Sequence, residues 1–266
     1  LGGANGGAVQ RGRTGASPWR TERLGGANGG AVQSGRTGAS PLAFHRAGTR
    51  CKVRGMRLGT RLANLVISDI RSMSRACDAA GGINLGQGIC DLPTPPLVAK
   101  AATDAIHANR VVYTAPEGIL PLRTSIAKKI ERLYGLSYDP ASEVVVTSGA
   151  TGGFAAACLA LFDPGDEIIL FEPYYGYHLN TLLTFGLKPV LVATKPPTWD
   201  VDPEALRAAI TPRTRAILVC TPGNPSGKVW TEAELDLVAA LCEEHDLLAI
   251  TDEIYEHMVY DGRKHV

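Results

Sequence analysis

The chain has 266 residues, of which 45% are hydrophobic and 20% are charged. A chain of this length and composition can bury a sizeable core, which excludes wholesale disorder and a small scaffold held together by disulfides. The formal net charge of +1 gives no bulk reason to expect a nucleic-acid or membrane-surface partner.

The N-terminal segment is a tandem duplication. Residues 1–18 return as residues 24–41 with one change. Because both copies are rich in Gly, Ala and Arg and carry almost no large apolar residue, we expect residues 1–55 to be a disordered or spurious leader. An Arg-rich, acid-poor N-terminus is also typical of an organelle transit peptide. We favour a start at Met56 and a cytoplasmic protein.

The next segment, residues 56–96, begins with helical periodicity. A stripe of apolar residues recurs at helical spacing and stops at Gly81 and Gly82, which predicts a helix followed by an irregular arm. The stripe consists of Leu62, Leu65, Val66, Ile70 and Met73.

Strand and helix patterns alternate over residues 97–266. Apolar runs rich in β-branched residues predict strands at 143–149, 167–173, 188–194, 215–222 and 247–253. Amphipathic stretches separate them, and the last one opens with Thr231 and Glu234 at capping-box spacing. This alternation predicts an α/β fold with a parallel sheet covered by helices on both faces. The chemistry of such sheets lies at the carboxyl ends of their strands.

The cysteines and the apolar runs point to a protein without a metal site or a membrane span. The six cysteines are scattered and form no C-x-x-C pair, so we expect reduced thiols and no metal. The longest purely apolar stretch, residues 154–162, is much shorter than the roughly 18 residues that a membrane span needs.

The end of the first predicted strand carries small residues. A Ser-Gly-Ala-Thr-Gly-Gly sequence, residues 148–153, joins this strand to a predicted helix. Backbone N–H groups of such a turn and the positive end of the helix can bind an anion, and Thr151 adds a hydroxyl. The pattern therefore indicates a phosphate cup, although a tight turn that needs small residues explains the glycines equally well.

Polar residues follow two further strands. Asn224 is held between prolines and glycines in the 221–227 loop, where a plain loop is the alternative interpretation. Asp252 ends the last strand and Tyr255 follows three residues later. A carboxylate at the end of a buried strand needs a cationic or hydrogen-bonding partner, unless it caps a helix.

Together these motifs resemble the class I/II aminotransferases, which are fold-type-I enzymes dependent on pyridoxal 5'-phosphate. The resemblance runs from residue 83 to the last residue, with the motifs in family order: NLGQG, YTAPEG, VTSGAT, FEPYYGY, TPGNPSGKV and TDEIYEHMVYDG. It is nearest to the branch of kynurenine/glutamine and bacterial aspartate/aromatic aminotransferases. It implies a large cofactor domain over 97–266, with 56–96 as the arm of an incomplete small domain.

The resemblance also implies a role for each motif. It assigns cofactor binding to eight residues: Gly149, Ala150, Thr151, Tyr175, Asn224, Asp252, Tyr255 and Tyr113. Asp252 pairs with the pyridine nitrogen, Asn224 and Tyr255 bind the ring oxygen, and Tyr175 stacks on the ring. Tyr113 reaches the site of the partner subunit, which implies a homodimer, and Gly88 binds the substrate carboxylate. The implied substrates are an amino acid and a 2-oxo acid.

The sequence departs from the family pattern at Cys220, at Gly152-Gly153 and at Ile89-Cys90, and it lacks the family's lysine. Cys220 stands where many relatives have Asn, which puts the carried-over contact there in doubt. The Schiff-base lysine of the family lies well beyond the D-E-x-Y motif, whereas the sequence ends at Val266. We assign that role to none of Lys195, Lys228 or Lys264. We therefore expect a C-terminally truncated fragment that does not transaminate alone, with Asp252 and Tyr255 giving electronic support only.

Three alternatives stay open at this point. The same cofactor chemistry supports β-elimination of cysteine conjugates. Aminotransferase-like domains also serve as effector-binding parts of transcription regulators, but the N-terminal segment has no helix-turn-helix pattern. A dinucleotide-binding domain has little support, because no G-x-G-x-x-G follows a strand.

Overall fold

A computed structural model describes residues 59–61, 65, 69–88, 90, 92–110 and 112–266. The predicted leader, residues 1–55, lies outside the described residues, as do Leu62 and Val66 of the predicted helical stripe. None of the helices in the described part is long and apolar enough to cross a membrane.

Seven helices and four strands make up the described part of the chain. Their order is α1 (Asp69–Ala79), α2 (Pro96–His107), α3 (Leu120–Tyr134), α4 (Gly149–Leu161), β1 (Glu167–Glu172), α5 (Gly176–Phe185), β2 (Lys188–Ala193), α6 (Pro203–Ala208), β3 (Thr214–Cys220), α7 (Glu232–His245) and β4 (Leu248–Asp252).

The four strands form one parallel sheet in the order β2-β1-β3-β4. A helix lies between each pair of consecutive strands along the chain, as parallel pairing requires. The register sets Cys220 opposite Asp252, so the last residues of β3 and β4 are neighbours. All carboxyl ends therefore lie at one edge of the sheet.

Helices cover both faces of the sheet, as predicted. On one face, Ile169 and Ile217 pack with Leu206 of α6 and Leu241 of α7. On the other face, alternate strand residues pack with the buried side chains of α4 and α5; the cluster includes Ile168, Leu170, Leu218, Cys158 and Leu182. The alternation follows from the two-residue repeat of a strand. The predicted fold class is thereby confirmed.

Helix boundaries follow the local sequence closely. Thr231 accepts a hydrogen bond from the backbone of Glu234, whose side chain in turn accepts one from the Thr231 backbone, so the predicted capping box is present. The α3 helix ends at Gly135, which adopts φ +70° as a left-handed C-cap. The predicted capping box is thereby confirmed.

The prediction of a strand at 143–149 is wrong. The segment is extended, but no described strand pairs with it, and β4 is the edge of the sheet beyond β3. Val145 is 64% exposed, and the Val146 amide donates instead to the carbonyl of Glu117 (2.9 Å). An apolar β-branched run becomes a strand only beside a hydrogen-bonded neighbour, and its periodicity does not identify that neighbour.

The N-terminal helices leave apolar side chains in solvent. Within the described part of the predicted stripe, Met73 is 65% exposed and Ile70 is 47% exposed. The α2 helix has no buried residue. The helix predicted in this region is present from Asp69 onward, but its stripe is not buried against the described residues.

Candidate functional site

A pocket of about 200 Å³ opens at the carboxyl ends of β3 and β4, beside the N-termini of α4 and α5. It brings together residues that are widely separated in sequence. Seven of the predicted cofactor residues line it: Gly149, Ala150, Thr151, Tyr175, Asn224, Asp252 and Tyr255. Four separate segments therefore converge on one space: the start of α4, the β1–α5 connection, the 221–227 loop and the turn after β4.

The first wall of the pocket is the N-terminus of α4. Gly149 adopts φ +73°, a backbone conformation that favours glycine, and turns the chain from the extended segment into the helix. The N-cap Ser148 makes no side-chain capping bond, and the first turn carries no acidic residue. The Gly149 amide donates to the Thr147 carbonyl at 2.9 Å. The following N–H groups of the first turn, the positive end of the helix and the Thr151 hydroxyl favour an anion here.

The base of the pocket is the carboxylate of Asp252. Its side chain is 15% exposed and accepts a hydrogen bond from Nε2 of His178 at 2.9 Å. This bond lowers the pKa of Asp252 below its usual range, against the opposing effect of burial, and a weaker bond from the Ile254 amide adds to the lowering. Asp252 is therefore an ionised group at neutral pH.

His178 is the residue that sequence reasoning missed. It is 4% exposed, lies on the first turn of α5 and lines the pocket. Its ring packs edge-on against Phe154 and Tyr175. His178 follows Tyr175 by three residues at the start of a helix, so the two side chains lie on the same face. This spacing could have identified His178 as a neighbour of the predicted ring-stacking residue.

The remaining walls carry an amide and aromatic rings. Nδ2 of Asn224 donates to the hydroxyl of Tyr255 at 3.4 Å, so the 221–227 loop and the turn after β4 meet at the pocket. The ring centroids of Tyr175 and Tyr177 lie 5.2 Å apart, and both rings line the same space. Burial raises the pKa of Tyr175, and nearby groups including Asp252 add to the rise. The wall is therefore an aromatic surface suited to stacking on a flat ring.

Two predicted site residues do not line this pocket. Tyr113 is fully exposed, and Gly88 is also exposed. Their predicted roles, across a subunit boundary and on a substrate carboxylate, stay predictions.

No lysine lies among the described residues that line the pocket. Nζ of Lys228 is buried and bound to Glu234 at 2.7 Å, while Lys195 pairs with Asp202 at 3.0 Å. Lys264 is exposed. None of these three lysines lines the pocket.

The fold and the site together define a class of protein. A parallel α/β sheet that presents an anion cup, an ionised carboxylate and an aromatic wall at its strand ends is suited to a phosphorylated heteroaromatic cofactor. The chain belongs to the aminotransferase class I and II family, whose model matches residues 80–266.

Individual relatives agree with this assignment. The chain is 40% identical over 209 residues to a probable N-succinyldiaminopimelate aminotransferase of Mycobacterium tuberculosis, covering 78% of this chain and 53% of the relative. It is 39% identical over 197 residues to human kynurenine–oxoglutarate transaminase 1, covering 69% and 47%. The chain therefore spans about half the length of the relatives that it matches.

A solved structure gives the same picture. The N-succinyldiaminopimelate aminotransferase from Mycobacterium tuberculosis superposes with a TM-score of 0.75 at 39% sequence identity, covering 79% of this chain and 55% of that chain. The predicted fold type and family are confirmed.

The family is dependent on pyridoxal 5'-phosphate, and the residues present fit this cofactor. The uncapped N-terminus of α4 with Thr151 matches a phosphate. The ionised Asp252 matches a protonated pyridine nitrogen, and Tyr175 offers a ring for stacking. Each part of the cofactor thus has a chemically complementary group in the pocket.

Proposed function

We propose that the protein transfers an amino group between an amino acid and a 2-oxo acid, with pyridoxal 5'-phosphate held in the pocket at the strand ends. One observation supports this above all: residues from four separate segments line one space that has the ionised Asp252 at its base. The proposal places the cofactor domain at residues 97–266 and a small-domain arm at 56–96.

In this proposal the phosphate lies at the N-terminus of α4. Gly149 forms the turn that presents the helix start, and the backbone N–H groups of Ala150 and Thr151 and the Thr151 hydroxyl donate to its oxygens. The helix dipole adds favourable charge, and the first turn carries no acidic residue to oppose it. These contacts fix one end of the cofactor and so orient its ring.

Asp252 and His178 act at the opposite end of the cofactor, on its ring. When bound, the cofactor supplies an electron sink for the carbon atom whose hydrogen is removed. Asp252 keeps the proton on the pyridine nitrogen, which maintains that sink, because a nearby carboxylate favours the charged form of a base. His178 donates to Asp252 and holds it ionised and in one orientation.

Three further residues orient the ring in its plane. Asn224 and Tyr255, whose polar atoms already lie in hydrogen-bonding range of each other, donate to the ring oxygen. Tyr175 stacks on the ring face. Gly88 offers its backbone to the substrate carboxylate.

The assembly proposed is a homodimer in the cytoplasm. Tyr113 is fully exposed, and in this proposal it reaches the phosphate bound by the partner subunit. Exposed apolar side chains precede it in sequence and are available for burial between two copies; they include Ile83, Leu85, Leu92, Leu97, Val98, Ile106 and Val112.

The activity is tested on the product of the whole gene. Glutamate formation from 2-oxoglutarate is measured with a panel of amino-acid donors. We expect saturable transfer that requires pyridoxal 5'-phosphate and falls at least about a thousandfold in Asp252→Ala, because the electron sink is lost. Asp200→Ala, on an exposed turn, is the matched control and keeps the wild-type rate. Absence of transfer from every donor by a folded protein contradicts the proposal.

A further inference from the structure

Thr221, the first residue after β3, forms hydrogen bonds to three other parts of the molecule. The residue is buried, and its amide donates to the carbonyl of Asp252 at 3.0 Å, which extends the β3–β4 pairing by one step. Its hydroxyl accepts from the amide of Trp230 at 3.3 Å. The Thr221 carbonyl is the remaining polar group of the residue, and it is bound by the imidazole of His265 at 3.1 Å.

The loop that follows is closed on itself. The Gly223 amide donates to the carbonyl of Lys228, and the Gly227 amide donates to the carbonyl of Gly223, both at 2.8 Å. These bonds stiffen the loop, and the Thr221 peptide is where the loop leaves β3. The Thr221 carbonyl belongs to that peptide, so a bond to it restrains the whole loop, including Asn224 at the pocket.

His265 is held firmly enough to provide this restraint. Its side chain is 7% exposed, and its ring packs against Tyr134 with centroids 5.8 Å apart. A carbonyl oxygen only accepts, so Nε2 is the donor to Thr221, and Nδ1 then faces the Tyr134 hydroxyl at 3.4 Å. The bond from Nε2 and the contact with the Tyr134 ring therefore hold the imidazole in a fixed plane.

The chain of contacts continues to α3. Burial, together with its bond to Glu256, raises the pKa of Tyr134, so the hydroxyl keeps its proton and donates it to that carboxylate. Glu256 is also bound by Lys129 of α3. His265 thus stands between the cofactor loop and a helix anchored by an ion pair.

We infer that His265 is a positioning residue for the cofactor site: by donating from Nε2 to the Thr221 carbonyl, it fixes the 221–227 loop so that Asn224 meets the cofactor ring. The inference rests on the proposed function, since Asn224 has this role only if the pocket holds the cofactor. His265 itself touches neither the pocket nor, in this account, the ring.

The test compares two amides in place of the imidazole. In His265→Gln the amide nitrogen lies where Nε2 lies, whereas in His265→Asn it lies near Nδ1 and falls short of Thr221. Pyridoxamine 5'-phosphate is the probe, because its binding requires no lysine. Calorimetry on the 266-residue chain is expected to give a dissociation constant about fivefold to tenfold weaker for Asn and within about twofold of wild type for Gln. His107→Asn, at an exposed histidine of α2, is the control.

A double-mutant cycle separates positioning from general stabilisation. If His265 acts through Asn224, then His265→Asn has no further effect on binding in an Asn224→Ala background. Equal binding by the Gln and Asn variants, or additive effects in the cycle, overturns the inference while leaving the proposed function intact. Failure of the folded wild-type chain to bind the probe overturns both. Circular dichroism of each variant establishes that it is folded, and the Gln and Asn variants bury side chains of the same type.

Discussion

The carboxylate of Asp252 and the imidazole of His178, 74 residues apart in sequence, are joined by a 2.9 Å hydrogen bond at the base of the pocket. Both side chains are largely buried. The bond connects the end of β4 to the first turn of α5, and it keeps a charge in a place from which water is mostly excluded. The ionisation of Asp252 is therefore linked to folding.

This linkage predicts a specific pH dependence of stability. The folded-state pKa of Asp252 lies below the ordinary value of about 3.9, so its contribution is fully present above that pH and is lost as the pH falls through the folded pKa. We expect the unfolding free energy of wild type to exceed that of Asp252→Asn at pH 7, and the gap to shrink below about pH 4. Urea denaturation from pH 7 to pH 3 measures both.

Two further variants sharpen this prediction. His178→Leu is expected to destabilise the chain by about 1–3 kcal/mol at pH 7, because it leaves the buried carboxylate without its main donor. Asp104→Asn changes an exposed carboxylate of α2 and is expected to alter stability little. A gap between wild type and Asp252→Asn that stays constant down to pH 3 contradicts the linkage.

The ion pair between Lys228 and Glu234 gives a second prediction. Both side chains are buried, and the ammonium group also lies 5.5 Å from the centre of the Trp230 ring. Burial by itself raises the pKa of Glu234, but hydrogen bonds from Lys228 and Thr231 outweigh this effect and hold it below its usual range. Lys228→Met leaves a buried charge unpaired, and we expect a loss of about 3 kcal/mol or more.

Lys195 offers a matched control for this variant. It also pairs with a carboxylate near a helix start, Asp202, but its side chain is 73% exposed. Lys195→Met is expected to cost less than about 1 kcal/mol, since exposed ion pairs contribute little. If urea denaturation gave the two lysine variants equal losses in the free energy of unfolding, burial of the Lys228–Glu234 pair would not explain its contribution to stability.

The thiols give a third prediction. Burial raises the pKa of Cys220 to about 11, a nearby backbone bond from Asn224 opposes this rise, and the charge of Asp252 adds to it. Cys90 is exposed. Because the thiolate is the reactive form, iodoacetamide at pH 7.5 is expected to alkylate Cys90 at least tenfold faster than Cys220. Peptide mapping by mass spectrometry reads both rates, and similar rates at the two sites would refute the prediction.

Much of the fold can be predicted from local signals. The Thr231–Glu234 capping box and the Gly135 stop depend on neighbouring residues alone, and the structure contains both. The alternation of apolar runs and amphipathic stretches gives the parallel sheet with two covered faces, because this pattern reports burial on both sides. Asn224, Asp252 and Tyr255 are predictable because parallel strands end at one edge. Tyr175 is implied by the family resemblance alone, and the residues at the start of α4 follow a segment that forms no strand.

Other features depend on which elements meet in space. His178 comes to Asp252 because α5 packs on the face of the sheet where β4 ends, and nothing in the sequence near His178 specifies that distance. The contact of His265 with Thr221 likewise joins residues that only the fold brings together. The 143–149 run is apolar and rich in β-branched residues, but it forms no strand in the sheet. A strand needs a hydrogen-bonded neighbour, and the apolar periodicity of the sequence does not identify one.

The most direct test of the account is calorimetric titration of the 266-residue chain with pyridoxamine 5'-phosphate. The account predicts saturable binding at one site per chain, weakened at least tenfold in Asp252→Asn and in Thr151→Val, which remove opposite ends of the proposed site. Asp200→Asn is expected to bind like wild type. Absence of saturable binding by the folded chain, or equal affinity in all four proteins, would contradict the claim that this pocket is the cofactor site.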